Sequence, residues 1–308
     1  MGGDYAWWPR VKSIGGRHPI LTRVAFYSVA VLGLVPLAFS HVMTRPFRQT
    51  ASAPRAGFSE GHVVSDGLRL RTWIRPGSPA MPAVVIVHGV GDSLESFVDH
   101  GLVFAGRGHT VLLLDTRGHG GSEGGHITLG AREREDVRAA MESLRQHGRA
   151  ASGLLLVGHS MGAVAVLRAA AGQPDVRAVI AEAPYDTFRE TIARHAWIFY
   201  RLPRWVPLIP LSIALAEWRA GFDADEVDAV AAASQIQGAL LAIADGADVR
   251  MPEAVVRRVF DAHRGPKRLW VAPDAGHVGA SLHPDYWPTV TAFLVENAIW
   301  PAPAPPPR

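Results

Sequence analysis

Six short, nearly continuous apolar runs constrain this chain more than any other feature. They fall at residues 83–87 (AVVIV), 110–114 (TVLLL), 154–157 (LLLV), 178–181 (AVIA), 240–244 (LLAIA) and 268–272 (RLWVA). Successive side chains of a strand point to opposite faces, so a run without polar alternation must be covered on both sides. That requires a buried parallel sheet with helices on each face. The intervening segments supply them. Residues 129–147 place Val137, Ala140, Met141 and Leu144 at helical spacing, 161–171 are small and apolar and stop at Gly172, and 255–263 and 287–298 are shorter amphipathic stretches. Strands alternating with helices predict a doubly wound α/β sheet with right-handed crossovers. Residues 62–74 alternate apolar and polar around Ser65-Asp66-Gly67, which predicts an antiparallel hairpin at the sheet edge.

Residues 184–234 break this rhythm. They hold no clear strand but include Trp197, Phe199, Tyr200, Trp205, Trp218 and several prolines. An insert of this size between strands predicts a helical lid over the carboxyl ends of the sheet.

The amino-terminal part has a different character. Residues 24–43 contain no Lys, Arg, Asp or Glu, and basic residues flank them on both sides. About twenty helical residues at 1.5 Å rise cover a hydrocarbon core of about 30 Å. Pro36, Ser40 and His41 weaken the outer end, so the span is short. Four basic residues precede it and three follow, which predicts an amino terminus in the cytoplasm and a body on the other side. Ala38-Phe39-Ser40 also resembles a small-x-small cleavage site, so a secreted body after signal cleavage is the competing expectation. The expected layout is a basic segment over 1–23, a membrane anchor over 24–43, a linker over 44–60 and a catalytic-size domain over 61–299. A disordered Pro-Ala tail over 300–308 closes it.

Charge bears on partners. The net charge is +3, but residues 1–58 carry seven basic residues and one acid, leaving −3 on the remainder. A mildly acidic body lacks the basic face that phosphate neutralisation requires, so nucleic acid is not an expected partner. The chain has no cysteine, which removes disulfides, thiolate nucleophiles and cysteine metal sites. No H-E-x-x-H pair and no lysine-containing phosphate loop occurs, so neither a metal nor a cofactor is expected.

Chemistry concentrates at Gly158-His159-Ser160-Met161-Gly162, where a buried strand runs through G-x-S-x-G into a helix. A serine hydroxyl is a weak nucleophile at neutral pH. It must be exposed on a tight turn beside a base, and flanking glycines permit the close backbone approach. This segment resembles the nucleophile elbow of the α/β-hydrolase superfamily, and three further motifs follow that family's chain order. His88-Gly89-Val90-Gly91-Asp92 is similar to its His-Gly oxyanion loop, and Asp115-Thr116-Arg117-Gly118-His119-Gly120-Gly121-Ser122 to its D-x-R-G-H-G-x-S turn. Asp248 occupies the D-x-x-V-P position, with Met251 in place of valine, and His277 follows a strand and a glycine as the family's last catalytic loop does.

The resemblance implies a serine hydrolase of the monoglyceride-lipase-like and serine-aminopeptidase-like subset, with Ser160 as nucleophile, His277 as base and Asp248 as the acid that orients it. Asp245 is the alternative acid, and His195, His263 and His283 are alternative bases. The backbone N–H groups of Val90 and Met161 are the implied oxyanion donors, each worth about 3 kcal/mol in the transition state. His88 and His119 are expected to be scaffold. Three function classes stay in view: a carboxylic ester or lipid ester hydrolase, a peptidase using the same residues, and a non-catalytic binding protein. The aromatic insert and the neighbouring anchor favour the ester or lipid ester.

Overall fold

A computed structural model describes residues 19–301. Most of the expected basic segment, residues 1–18, and all but two residues of the expected Pro-Ala tail, residues 302–308, lie outside the described residues. At the centre is an eight-stranded sheet made of β1 (Ser59–Ser65), β2 (Leu68–Arg75), β3 (Ala83–Val87), β4 (Val111–Leu114), β5 (Leu154–His159), β6 (Val176–Glu182), β7 (Ala239–Asp245) and β8 (Lys267–Ala272). In space the order is β8-β7-β6-β5-β3-β4-β2-β1. Strands β3 to β8 run parallel to one another, and the β1–β2 hairpin adds an antiparallel edge against β4. Its turn residues Asp66 (φ 48°) and Gly67 (φ 78°) both have positive φ, the backbone that a two-residue hairpin needs to match strand twist.

The helices are α1 (Pro19–Thr44), α2 (Val98–Gly106), α3 (Glu133–Gln146), α4 (Met161–Ala170), α5 (Phe188–Tyr200), α6 (Leu208–Ala220), α7 (Ala229–Ala233), α8 (Glu253–Ala262) and α9 (Tyr286–Glu296). Each apolar strand feeds two cores by alternation. Val85, Val87, Leu154 and Leu156 join the core that holds Val137 and Met141 of α3 and the length of α4. Val84, Ile86, Leu155 and Val157 join the opposite core, with Phe104 of α2 and Val290 and Phe293 of α9. Only β8, at the edge, is mostly half-buried along its length.

The insert is a helical lid, but its boundaries are narrower than the sequence suggested. Thr187 and Asp228 form an antiparallel bridge, and the N–H groups of Phe188 and Ala229 donate to Val227 O at 3.1 Å and Asp186 O at 2.8 Å. This stem closes the insert around α5 and α6. The third helix, α7, packs on α4 and α8 and belongs to the body.

Helix α1 is longer than the apolar run and continues through Pro36 to Thr44. Its first half is exposed, whereas Pro36, Ser40 and Thr44, spaced four apart, form a buried stripe, and the helix packs on α6 of the lid. The segment expected as a linker is tied down. Phe47 N–H donates to Gly118 O at 2.7 Å, Gln49 N–H to Gly120 O at 3.1 Å, and Ser52 Oγ to Glu95 Oε2 at 2.6 Å. At the other end Trp300, placed at the start of the tail by the sequence reading, is buried, and its indole N–H donates to His109 Nε2 at 2.6 Å. The opposite nitrogen of His109 donates to Pro82 O at 2.7 Å, so both ring atoms are used.

Candidate active site

The elbow between β5 and α4 is set by backbone geometry. Ser160 sits at φ 53°, ψ −115°, a region sparsely populated by residues with a side chain, and its N–H donates to Glu182 O at 2.9 Å. The strain is held by close packing of bare backbone. A Cβ on Gly158 would lie 2.4 Å from Gly162 O, and one on Gly162 would lie 2.4 Å from Val87 O. Those two positions therefore require glycine, for approach rather than for φ.

His277 and Asp248 reach Ser160 from the loops after β8 and β7. Ser160 Oγ lies 2.9 Å from His277 Nε2, and His277 Nδ1 lies 2.6 Å from Asp248 Oδ2. With Asp248 ionised, Nδ1 carries the proton and donates it to the carboxylate, leaving Nε2 to accept from the hydroxyl. The second oxygen of Asp248 accepts the N–H groups of Arg250 at 2.7 Å and Met251 at 3.1 Å. Burial alone would raise this carboxyl, but the bond from His277 and the two backbone donors outweigh it and hold Asp248 below the usual carboxylate range. Ser160 and His277 both face a cavity of about 390 Å³.

Asp245, the alternative acid, does something else. Its Oδ2 accepts Val278 N–H and its Oδ1 accepts Ala280 N–H, both at 2.9 Å, so it grips the backbone beyond the histidine. Glu182 accepts the same Ala280 N–H at 3.1 Å. Val278 is held at φ 61°, unusual for a β-branched residue, and this clamp is what the loop needs to keep it there. Behind it, His159 Nδ1 lies 3.0 Å from Glu182 Oε2 without hydrogen-bond alignment, both side chains fully buried. Asp245, Asp248 and His277 offer three donor atoms within 4.8 Å of one another. Each of the three is already committed, to a backbone N–H or to its neighbour.

The other candidates fall into place around this centre. Val90 and Met161 line the same cavity. Met161 opens α4, where the first N–H groups of a helix have no intrahelical acceptor. His88 donates through Nδ1 to Gly89 O at 2.7 Å and accepts Thr116 N–H on Nε2 at 3.2 Å, and burial lowers its pKa. His119 is buried, stacks on Phe47, and is pushed down to about 4, chiefly by burial. Asp115 is raised to about 6 by burial and accepts the N–H groups of Leu94 and Gly121. The turn from Asp115 to Ser122 is thus structural, with Arg117 paired to buried Asp136 at 3.0 Å. His263 donates through Nδ1 to Ala233 O at 3.1 Å in the body, and His283 lies beside Asp285; neither lines the cavity.

His195 lines it from the lid, with its ring pushed down to about 4 by burial and then by Arg250 and Arg194. Sequence reasoning missed that Val42, Met43 and Phe47 also wall this cavity. No motif marks them, because their position depends on how α1 docks.

Residues 78–265, more than half of the chain, match the family described as serine aminopeptidase, S33 (Hydrolase_4). The chain belongs to this family. Among curated relatives, the uncharacterized protein YqkD of Bacillus subtilis (strain 168) is 31% identical over 196 residues, which are 63% of this chain and 64% of that one. The match therefore spans just under two thirds of YqkD. The uncharacterized protein Rv2307c of Mycobacterium tuberculosis is 27% identical over 259 residues, 82% of this chain and 85% of its own. Among solved structures, the Pyrococcus furiosus esterase Pf2001 superposes with a TM-score of 0.65 at 22% identity, over 83% of this chain and 99% of that one. Est1E of Butyrivibrio proteoclasticus, solved with ferulic acid bound, gives 0.60 at 17% identity, over 77% and 99%. These likenesses establish the α/β-hydrolase fold for this S33 member.

Proposed function

We propose that this protein is a membrane-anchored serine hydrolase that cleaves carboxylic esters, with lipid esters as the favoured class. The observation that carries the reading is the hydrogen-bonded chain from Ser160 through His277 to Asp248. In the proposed reaction Ser160 Oγ attacks the ester carbonyl carbon as its proton passes to His277 Nε2, and the N–H groups of Val90 and Met161 receive the developing oxyanion. The tetrahedral intermediate collapses, and the alcohol leaves with the proton held by His277. Water then attacks the acyl-enzyme, giving its proton to the same nitrogen, and the carboxylic acid departs as Ser160 recovers its hydrogen. Asp248 keeps the imidazole in one tautomer and supports its positive charge.

A peptidase reading draws support from the family's description. Recognition of a peptide amino terminus calls for a free carboxylate near the nucleophile. Among the described residues, the acidic side chain lining the cavity is Asp92, which already accepts Ser93 N–H at 2.8 Å and bonds Ser96. Apolar groups dominate the rest, including Ile127, Leu129, Phe188 and Ile192. This lining favours an acyl group.

The anchor reading rests on α1, whose exposed first half carries Ile20, Leu21, Phe26 and Val29. Its last turns pack on the lid helix α6 and Thr44 O accepts Ile127 N–H at 3.0 Å, which supports retention of the helix rather than cleavage near Ala38. The favoured topology keeps the amino terminus in the cytoplasm and the body outside. Assay of the detergent-solubilised full chain with p-nitrophenyl esters of graded length beside aminoacyl anilides tests the substrate class. Ester turnover that Ser160→Ala abolishes is expected; turnover of the anilides alone would overturn the ester reading.

A further inference from the structure

A second cavity, of about 260 Å³, adjoins the first and shares Val42, Met43, Ile192 and His195 with it. Its far end is bounded by Phe39, Tyr200, Ile209 and Ser212. One wall is therefore the last two turns of α1, and the other is the pair of lid helices α5 and α6. The wall is fixed to the lid at two points. Phe39 and Tyr200 meet edge to face with ring centroids 4.9 Å apart, and Arg219 Nη2 donates to His41 Nδ1 at 3.0 Å.

The chemistry of this second cavity is apolar throughout. Among the described residues, no Asp, Glu, Lys or Arg lines it, and Ser212 spends its hydroxyl on Leu208 O at 2.6 Å. His195, at the junction, is neutral because burial holds its pKa near 4. Outside the cavity, Trp197, Trp205 and Trp218 are exposed on the same lid, the residue type that settles at a membrane interface. The exposed apolar half of α1 runs out from this same corner of the molecule.

We propose that the end of the anchor helix is part of the substrate site: Phe39, Val42 and Met43 form one side of a channel that takes a long acyl chain from the bilayer to Ser160. The proposal rests on the hydrolase reading and names the substrate class within it, an ester of a long-chain fatty acid. Helix α1 then has two roles, as tether and as a specificity-determining wall. Each methylene that leaves water for this channel is worth up to about fourfold in kcat/KM. The gain stops when the chain has filled the second cavity.

The absence of native cysteine makes a direct test available. Met43→Cys in the full chain, in detergent, is reacted with a maleimide after Ser160 has been blocked by either an ethyl or a dodecyl fluorophosphonate. Each reagent places its phosphorus on Ser160 Oγ, expels fluoride, and releases the serine proton. The dodecyl adduct is expected to slow labelling of residue 43 at least tenfold relative to the ethyl adduct. Equal rates after both adducts would overturn the channel and leave the hydrolase reading standing, whereas failure of both reagents to modify Ser160 would overturn both. A second variant, Val42→Trp, narrows the same wall and is expected to lower the ratio of dodecanoyl to acetyl ester kcat/KM at least tenfold. Val29→Ala, on the exposed half of α1, should leave that ratio as it is in the wild type. An unchanged ratio in Val42→Trp contradicts the proposal.

Discussion

Asp245 accepts the backbone N–H of Val278 at 2.9 Å, one residue beyond the histidine whose imidazole Asp248 holds at 2.6 Å. Two neighbouring acids thus divide one task. Asp248 orients the ring, and Asp245 fixes the loop that carries it. Asp248→Asn is expected to lower ester turnover about a thousandfold or more, because an amide in place of the carboxylate favours the wrong imidazole tautomer. Asp245→Asn keeps an acceptor oxygen for the loop and is expected to cost about tenfold or less. Steady-state kinetics of the two variants gives the ranking, and the reverse order would move the acid to Asp245.

Asp245 also imposes a pH dependence on stability. Burial, and then the Glu182 carboxylate, push it up to about 7 against the pull of its two backbone donors. Between pH about 4 and about 7 the folded chain keeps a proton that the unfolded chain has lost, so this group's contribution is full below about 4 and falls as pH rises to 7. Asp115, raised to about 6, slopes the same way, while the buried histidines held neutral slope oppositely. The difference between wild type and Asp245→Asn isolates the one group. Urea midpoints at pH 4.5 and 7.5 should show the wild type losing more stability over this interval than the variant; identical changes would contradict the assignment.

Gly162 leaves no room for a methyl group, with Val87 O and His88 O at 2.4 and 2.5 Å from where it would sit. Since the obstructing atoms are backbone, relief requires β3 and the elbow to separate. Gly162→Ala is expected to destabilise the fold by about 2 kcal/mol or more and to abolish turnover. Gly172→Ala is the contrast: it meets no neighbour within 4 Å but carries φ 71°, so it should cost about 1 kcal/mol from backbone strain alone. Denaturant midpoints of the pair separate crowding from φ.

Trp300 closes the core beside Phe104, with its N–H on His109 and the Arg107 guanidinium 4.6 Å from its ring. Trp300→Ala removes a large buried ring and leaves His109 Nε2 without its donor. A loss of about 3 kcal/mol is expected in chemical denaturation. A change below about 0.5 kcal/mol would show that the body ends before this residue.

The sheet was legible because its strands are buried on both faces, and 154–157 or 240–244 cannot be solvated in any other arrangement. The meeting of Ser160, Asp248 and His277 was legible because each follows a strand end that motif spacing marks. Helix α2 was not, since 98–106 mixes Asp99, His100 and two glycines with its apolar residues and gives a weak period. The extent of the lid depended on the bridge between Thr187 and Asp228, a backbone contact with no side-chain signature. Val42 and Met43 read as ordinary anchor residues. Their place beside Ser160 comes from tertiary docking of α1, which leaves no trace in a linear pattern.

In the proposed reaction Ser160 Oγ is the atom acylated by substrate, with His277 as its base. The most direct measurement is peptide mass mapping of the full chain after reaction with a fluorophosphonate. A single phosphonylated peptide containing Ser160 is expected, lost in Ser160→Ala and formed far more slowly in His277→Ala. Modification that persists in Ser160→Ala at another serine, with ester turnover intact, would contradict it.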